Sequence, residues 1–433
     1  MHGPRVQRVL RHDLGTIILL SLLVTVHVGV VSSIVLQDRP IIWPLHNDTI
    51  HRAGIGADFY SVYHAGLNFR RGLNPYVGND DSVTPYYYPF RYLPIVAIAA
   101  QPLTFLSPQV AHLVWIILLE GLFALLLFTL WRNIPDKGAR IAAIGILLIN
   151  SPYFLELYMG QFTFASVTLC CLAFLLPSAQ LLFCGAVLLK PFTLAVLPVL
   201  VALRRYWSHG AYAILGVIIL STPYFMRHPD QWMSFYNTNF VLKGGLDAGN
   251  YGLVRLLQLF VEDLQITVIA QRWSNWIGVF RYATLTATAL LVFHSKNKSV
   301  LVGVTALLLA HFLTYQHVWE HHMSGICVLG AVLLTDHDRQ KVSAVAILFS
   351  LLLLALPTPF WLLDSAKDPT VWDASIQWPR YASYLLVLSK VVPCMILFLF
   401  SVTCLYRNGL MSPRDAIRSA LTRAFSQRLE VRG

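Results

Sequence analysis

Two stretches of this sequence carry more chemistry than their surroundings require. The first is Gly54-Ile55-Gly56-Ala57-Asp58-Phe59-Tyr60, where an aspartate follows two glycines and opens a helical run toward Arg70-Arg71. A carboxylate near a helix N-terminus is stabilised as the anion, and a positioned anion suits general-base work. The same placement also fits a plain N-cap, for which Asp is favoured. The second stretch is Tyr315-Gln316-His317-Val318-Trp319-Glu320-His321-His322. It fits acid–base or substrate contacts at an aqueous mouth, or an interfacial belt of amphipathic rings. Its His317-Val318-Trp319-Glu320-His321 portion has the H-x-x-E-H spacing of some zinc proteases. Such sites need a third protein ligand, and the only later glutamate, Glu430, sits in a basic tail. A third feature is Lys190-Pro191 after an apolar run. Lysine at membrane depth is costly and marks function, a paired charge or snorkelling to an interface. Glu120, Glu156 and His311 also lie in or beside apolar stretches. Helix-end placement accounts for Glu156, whereas Glu120 has no evident partner.

The elements that must position these groups are membrane helices. The chain has 433 residues, 56% hydrophobic and 12% charged, with mean hydropathy +0.61. A soluble domain carries about twice that charged fraction, and several apolar runs reach the roughly 20 residues that cross a bilayer. The expected fold is therefore an all-α polytopic membrane protein. Segment 15–37 is longer than a signal-peptide core, and Gln37-Asp38-Arg39 is no small-residue cleavage site, so it reads as a retained first helix. The net charge of +11 does not call for nucleic acid, because the basic residues gather in short loops and at the termini, as the positive-inside rule expects. The six cysteines all lie in apolar segments and read as small buried hydrophobes.

Lys and Arg placement gives a threading. Residues 1–14 start inside and 15–37 exit. The polar stretch 38–91 then forms a large outer loop, longer than a connector needs. Segment 92–106, punctuated by Pro94 and Pro102, is a short re-entrant or interfacial helix, and 109–131 returns. Residues 141–157 exit and 162–177 return. Segment 180–203, broken at Lys190-Pro191, dips in and comes back to the same side. Residues 210–226 exit to a second outer loop, 227–275. Segments 276–294, 299–316, 323–335, 342–362 and 381–406 then alternate, leaving 363–380 as a third outer loop. The polytopic domain is 1–406, and 407–433 is a basic cytoplasmic tail.

The motifs in order resemble glycosyltransferase family 87, integral-membrane enzymes of the GT-C superfamily. An aspartate precedes a Tyr/Ala-rich helix (Asp58, Tyr60, Tyr63, Ala65), and Gly72-Leu73-Asn74-Pro75-Tyr76 and Tyr88-Pro89-Phe90-Arg91-Tyr92-Leu93-Pro94 follow. Next come Gly160-Gln161, Lys190-Pro191, Gly249-Asn250 with Arg255, and Val318-Trp319-Glu320-His321-His322. Two departures stand out. Phe162-Thr163 replaces the Asn that often follows Gly-Gln, and Val318 and Glu320 replace the commoner Ser and Asp. The resemblance implies a GT-C fold of about 10–13 transmembrane helices. It also implies transfer of a sugar, mannose by family expectation, from a polyprenyl-phosphate donor to a glycolipid or glycan acceptor. A bacterial plasma membrane with an extracytoplasmic site is the expected location.

Asp58 is then the base of a direct, inverting displacement. His321, His322, Glu320 and Lys190 contact phosphate or acceptor, with Arg91 and Arg255 behind them. Gln161, Tyr63 and Asn250 complete the substrate site, and Tyr88 with its neighbours Tyr86 and Tyr87 offers ring faces to sugar or prenyl chain. No cofactor is required, although Asp58, Glu320 and the histidines could assemble around a divalent metal. Two other readings share the architecture: a transporter or flippase of lipid-linked sugars, and an oligosaccharide ligase. The absence of evident inverted repeats and the asymmetric early loop count against transport.

Overall fold

The computed structural model describes residues 4–45, 51, 53–76, 89–239, 250–296, 299–336, 341–358, 379–407 and 409–410. Among them the regular structure is helical, with one isolated bridge between Ser295 and Leu410. This is the all-α polytopic architecture that the composition requires, because lipid offers no partners to backbone N–H and C=O groups.

The first half of the chain contains α1 (Pro4–Leu36), α2 (Ala57–Arg70), α3 (Pro94–Ala100), α4 (Pro108–Asn133), α5 (Lys137–Leu148), α6 (Ser151–Met159), α7 (Thr163–Leu175), α8 (Gln180–Leu189) and α9 (Leu197–Ala202). Then follow α10 (Trp207–Arg227), α11 (Pro229–Asn239), α12 (Leu253–Asp263), α13 (Thr267–Gln271), α14 (Trp273–His294), α15 (Val300–Thr314), α16 (His322–Leu333), α17 (Lys341–Ala355) and α18 (Arg380–Arg407). Helix starts carry their expected signals. Ser107, Asp136 and Asn150 accept the N3 backbone N–H of α4, α5 and α6, satisfying donors that no helix can pair internally.

Among the described residues six stretches are long and apolar enough to cross a membrane: Leu14–Leu36, Pro108–Asn133, Lys137–Met159, Arg204–Arg227, Trp273–His294 and Arg380–Arg407. The remaining apolar helices are shorter, and they are the most enclosed. All of α16 and nearly all of α15 are buried, as expected of helices that are apolar all round.

The segment 92–106 is short, as expected: α3 runs directly into a 3₁₀ turn, Gln101–Phe105. The break at Lys190 is also real. There α8 ends, Pro191–Val196 forms a 3₁₀ turn, and α9 leads away. Both limbs open toward the same end of the molecule. The ring of Tyr206, after α9, lies 5.3 Å from Phe174, and His209 bonds the Ala173 carbonyl at 3.0 Å, both at the last turns of α7. Lys190 is thus the tip of a hairpin that enters the bundle and leaves where it began.

The described part of the first polar segment is not a free loop. Helix α2 lies against α3 closely enough that a Cβ on Gly66 would meet the Ala100 backbone carbon at 3.0 Å. Arg70 donates to the Thr104 carbonyl at 3.1 Å, and the Tyr63 hydroxyl donates to the Leu106 carbonyl at 2.9 Å. Glu120, which lacked a partner in the sequence, has two. Its carboxylate lies 3.0 Å from His27 Nε2 of α1 and accepts the Tyr153 hydroxyl of α6 at 2.8 Å. His27 Nδ1 contacts the Leu148 carbonyl at 2.9 Å, so this one side chain ties α1 to α4 and α5. At the other end of the chain, buried Lys390 of α18 donates to the carbonyls of Leu354 at 3.2 Å and Leu356 at 2.6 Å, closing the C-terminus of α17. Most of the third expected outer loop (363–378) and of the basic tail (411–433) lies outside the described residues.

Candidate active site

Two glycines bring Asp58 to its place. Gly56 is the N-cap of α2 at φ +74°, and its N–H donates to the Tyr158 carbonyl at 2.8 Å. Gly160 ends α6 at φ +70°, where a Cβ would lie 2.3 Å from Phe59 Cβ. Only glycine combines that left-handed backbone with so close an approach. Asp58 therefore falls in the first turn of α2 rather than at its cap, and the capping alternative is set aside.

The Asp58 carboxylate is hydrogen-bonded by the Gln161 side chain, with Lys190 and Arg91 acting on it electrostatically. Lys190 Nζ donates to Gln161 Oε1 at 3.2 Å and to Thr163 Oγ1 at 2.8 Å. Since the amide oxygen accepts from Lys190, its NH₂ must be the donor to Asp58. The result is a polar line, Lys190–Gln161–Asp58, from the hairpin tip to the partly accessible carboxylate. Desolvation raises the Asp58 pKa from 3.8 to about 6, against the opposing pull of Gln161, Lys190 and Arg91.

Behind Lys190 lies Glu156, fully buried. One oxygen accepts the Phe164 N–H at 2.7 Å, in the first turn of α7, and the other accepts the Ser324 hydroxyl of α16 at 2.8 Å. Glu156 also acts electrostatically on Lys190. Glu156 does lie in the last turn of α6, but helix-end placement alone does not account for its complete burial and its bonds to α7 and α16. Its position between Leu155 and Leu157 in an apolar run was the available signal for burial. Tyr92 was also missed: it lies within electrostatic range of both Asp58 and Glu156, with its ring 4.9 Å from Phe162.

His321 and His322 face each other with ring centroids 4.2 Å apart, and Lys190 acts on both. The Trp319 N–H donates to His322 Nδ1 at 3.0 Å. The neutral His322 ring therefore carries its proton on Nε2, where it is a donor. Burial and Lys190 hold the His321 pKa well below the usual imidazole range, and its Nε2 is buried without a hydrogen-bond partner among the described residues.

Other expected substrate contacts bond to the scaffold. Glu320 accepts both the N–H and the hydroxyl of Thr358, at 2.8 and 2.7 Å. Asn250 holds the histidine segment in place: it donates to the Gln316 carbonyl and accepts from Val318 N–H at 3.1 Å and Gly252 N–H at 2.9 Å. Tyr63 is committed to Leu106, as described. Arg255 lies 3.9 Å from Glu262 of its own helix. Arg91 is exposed but reaches Asp58 electrostatically. Tyr88, with Tyr86 and Tyr87, lies outside the described residues. Residues 315–319 are not helical, so His317 and His321 do not share a helix face as the zinc spacing demands. Among the described residues no group of three or more His, Cys, Asp or Glu could hold a metal ion.

Asp58 is thus hydrogen-bonded by Gln161, Gln161 accepts from Lys190, and Lys190 acts on His321 and His322, all within an all-α polytopic membrane protein. The family model for glycosyltransferase family 87 matches residues 90–357, and the chain belongs to that family. The matched span includes Gln161, Lys190 and the histidine segment, and begins after Asp58. The comparison with curated proteins finds no match.

Proposed function

We propose that this membrane glycosyltransferase moves a sugar, mannose in the first instance, from a polyprenyl-phosphate donor to a lipid-linked or glycan acceptor, with inversion and with Asp58 as the base. The reading places the site on the extracytoplasmic face of a bacterial plasma membrane. The observation that carries it is the line Lys190–Gln161–Asp58, which sets an acceptor-side carboxylate and a cation at the two ends of one amide.

The acceptor hydroxyl gives its proton to the Asp58 carboxylate as its oxygen bonds to the anomeric carbon. The bond from that carbon to the donor phosphate breaks, and its electron pair leaves on the phosphate oxygen. Lys190 and Arg91 stabilise the departing charge, and the His322 Nε2–H supplies a neutral donor. Phosphate leaves without protonation, so a single base suffices and no cofactor enters the scheme. Gln161 fixes the carboxylate rotamer, and Glu156 balances Lys190 until the phosphate arrives.

The test uses membranes containing wild-type protein or Asp58→Ala, radiolabelled polyprenyl-phosphate mannose and a lipid extract as acceptor. Label entering a new glycolipid with wild type alone supports both reaction and base. Equal transfer by the two proteins removes Asp58 from the role.

A further inference from the structure

Arg281 takes no part in the scheme above, yet it is the charge in the structure with the most to explain. It sits within the membrane-length helix α14 and is only half-buried. A charged side chain inside a span is retained where it meets a partner or a polar cavity. Among the described residues no carboxylate pairs with it. Its contacts are instead the Nδ1 of His311, 3.5 Å from Nη2, and the face of Tyr315, whose ring centroid is 5.5 Å from the guanidinium carbon. His311 is clamped on its other side by Phe192, stacked at 4.8 Å just past the hairpin tip.

These contacts turn Arg281 toward the site. Lys190 and Arg281 both act electrostatically on His311, and Arg91 and Arg281 both act on Tyr315. The Tyr315 ring lies 6.2 Å from His322. Three cations from three elements therefore converge on one end of the bundle, where the buried or partly buried acids among the described residues include Asp58, Glu156 and Glu320, the last taken up by Thr358. Glu156 is occupied by Lys190, Phe164 and Ser324, and Asp58 by Gln161. Arg281 is left with uncharged neighbours and a fork that binds phosphate in two-point geometry.

We infer that Arg281 binds the phosphate of the lipid-linked donor, holding it against Lys190 with Tyr315 and His311 as the floor beneath the guanidinium. The inference rests on the donor class proposed above. Arg281 approaches from within the span, so it anchors the phosphate from the membrane side. It is a binding residue and performs no proton transfer.

The test measures binding of undecaprenyl phosphate to detergent-solubilised protein, with undecaprenol, phosphatidylglycerol and inorganic phosphate as separate arms. The proteins are wild type, Arg281→Gln and Arg281→Lys, each checked for an unchanged unliganded melting midpoint. Arg281→Gln should weaken undecaprenyl phosphate binding about tenfold to a hundredfold, the range for losing a charge-assisted contact. Arg281→Lys should lose less. Equal binding by wild type and Arg281→Gln overturns the inference and leaves the donor reading standing. No binding of undecaprenyl phosphate by wild type overturns the donor reading itself. Phosphatidylglycerol or inorganic phosphate binding as tightly, and lost in Arg281→Gln, assigns the arginine to a headgroup or free anion and overturns its role in donor binding.

Discussion

As the proposed base, Asp58 must lose its proton before it can accept one, and its surroundings set the pH at which that happens. With a pKa of about 6, the carboxylate is mostly ionised at neutral pH, and kcat/KM should rise with pH through about 6 and then level off. Gln161 stabilises the ionised form, so Gln161→Leu should move that inflection to higher pH, a displacement that a merely structural loss would not produce. Stability runs the other way. A carboxyl whose pKa is higher in the folded state than its ordinary 3.8 favours folding at low pH, and that benefit is lost as pH rises through about 4 to 6. Asp58→Asn should therefore be inactive yet more stable than wild type at pH 8, by on the order of 1–2 kcal/mol after discounting for its partial exposure. Thermal melts at pH 4 and pH 8 would show the difference at the higher pH only. Asp58, Gln161 and Lys190 were legible in the sequence because glycines and a proline mark their backbone breaks. Glu156 was not, because a helix end and a buried polar centre look alike until the partner Ser324 is placed. Asn250, Tyr63 and Glu320 bond to backbone in the structure, and from sequence alone motif residues that hold a backbone in shape read the same as motif residues that hold a substrate.

At the scale of elements, the site depends on helices that stop short. The break at Lys190 and the left-handed turn at Gly160 each end a helix inside the protein and aim its terminus at Asp58. Gly160→Ala would set a Cβ 2.3 Å from that of Phe59 on a backbone that disfavours it, costing about 2–4 kcal/mol if the helices stayed in place. The cheaper response is for α2 to lift away from Gln161. The variant should lose at least tenfold in kcat with little change in the amount of folded protein, read by turnover and gel filtration together. The alternation of apolar runs with basic loops made the helices and the hairpin visible beforehand, including 92–106 and 180–203. The conformation of 315–321 was not visible, because its H-x-x-E-H spacing has a helical meaning only if the segment is a helix. Asn250, 68 residues upstream of Val318, holds it in another shape.

At the scale of the whole molecule, polar contacts between distant helices hold the bundle together where apolar packing against lipid gives little preference. Over Leu14–Leu36 helix α1 is mostly exposed, and His27 anchors it by polar contacts to Glu120 and Leu148. Glu120→Ala should destabilise the protein by about 1–3 kcal/mol, and His27→Phe combined with Glu120→Leu should restore part of it. Melting midpoints of the single and double variants in detergent would show whether the pair acts as a unit. None of this was readable from a sequence in which the partners stand 93 residues apart. The Glu156–Ser324 bond spans more still, 168 residues. At synthesis rates of about 5–20 residues per second, the glutamate enters the membrane on the order of ten to thirty seconds before the serine exists. During that interval a half-built chain holds an acid in lipid with its second oxygen unclaimed, so the nascent protein needs shelter from the insertion machinery at the same group on which the finished site is centred.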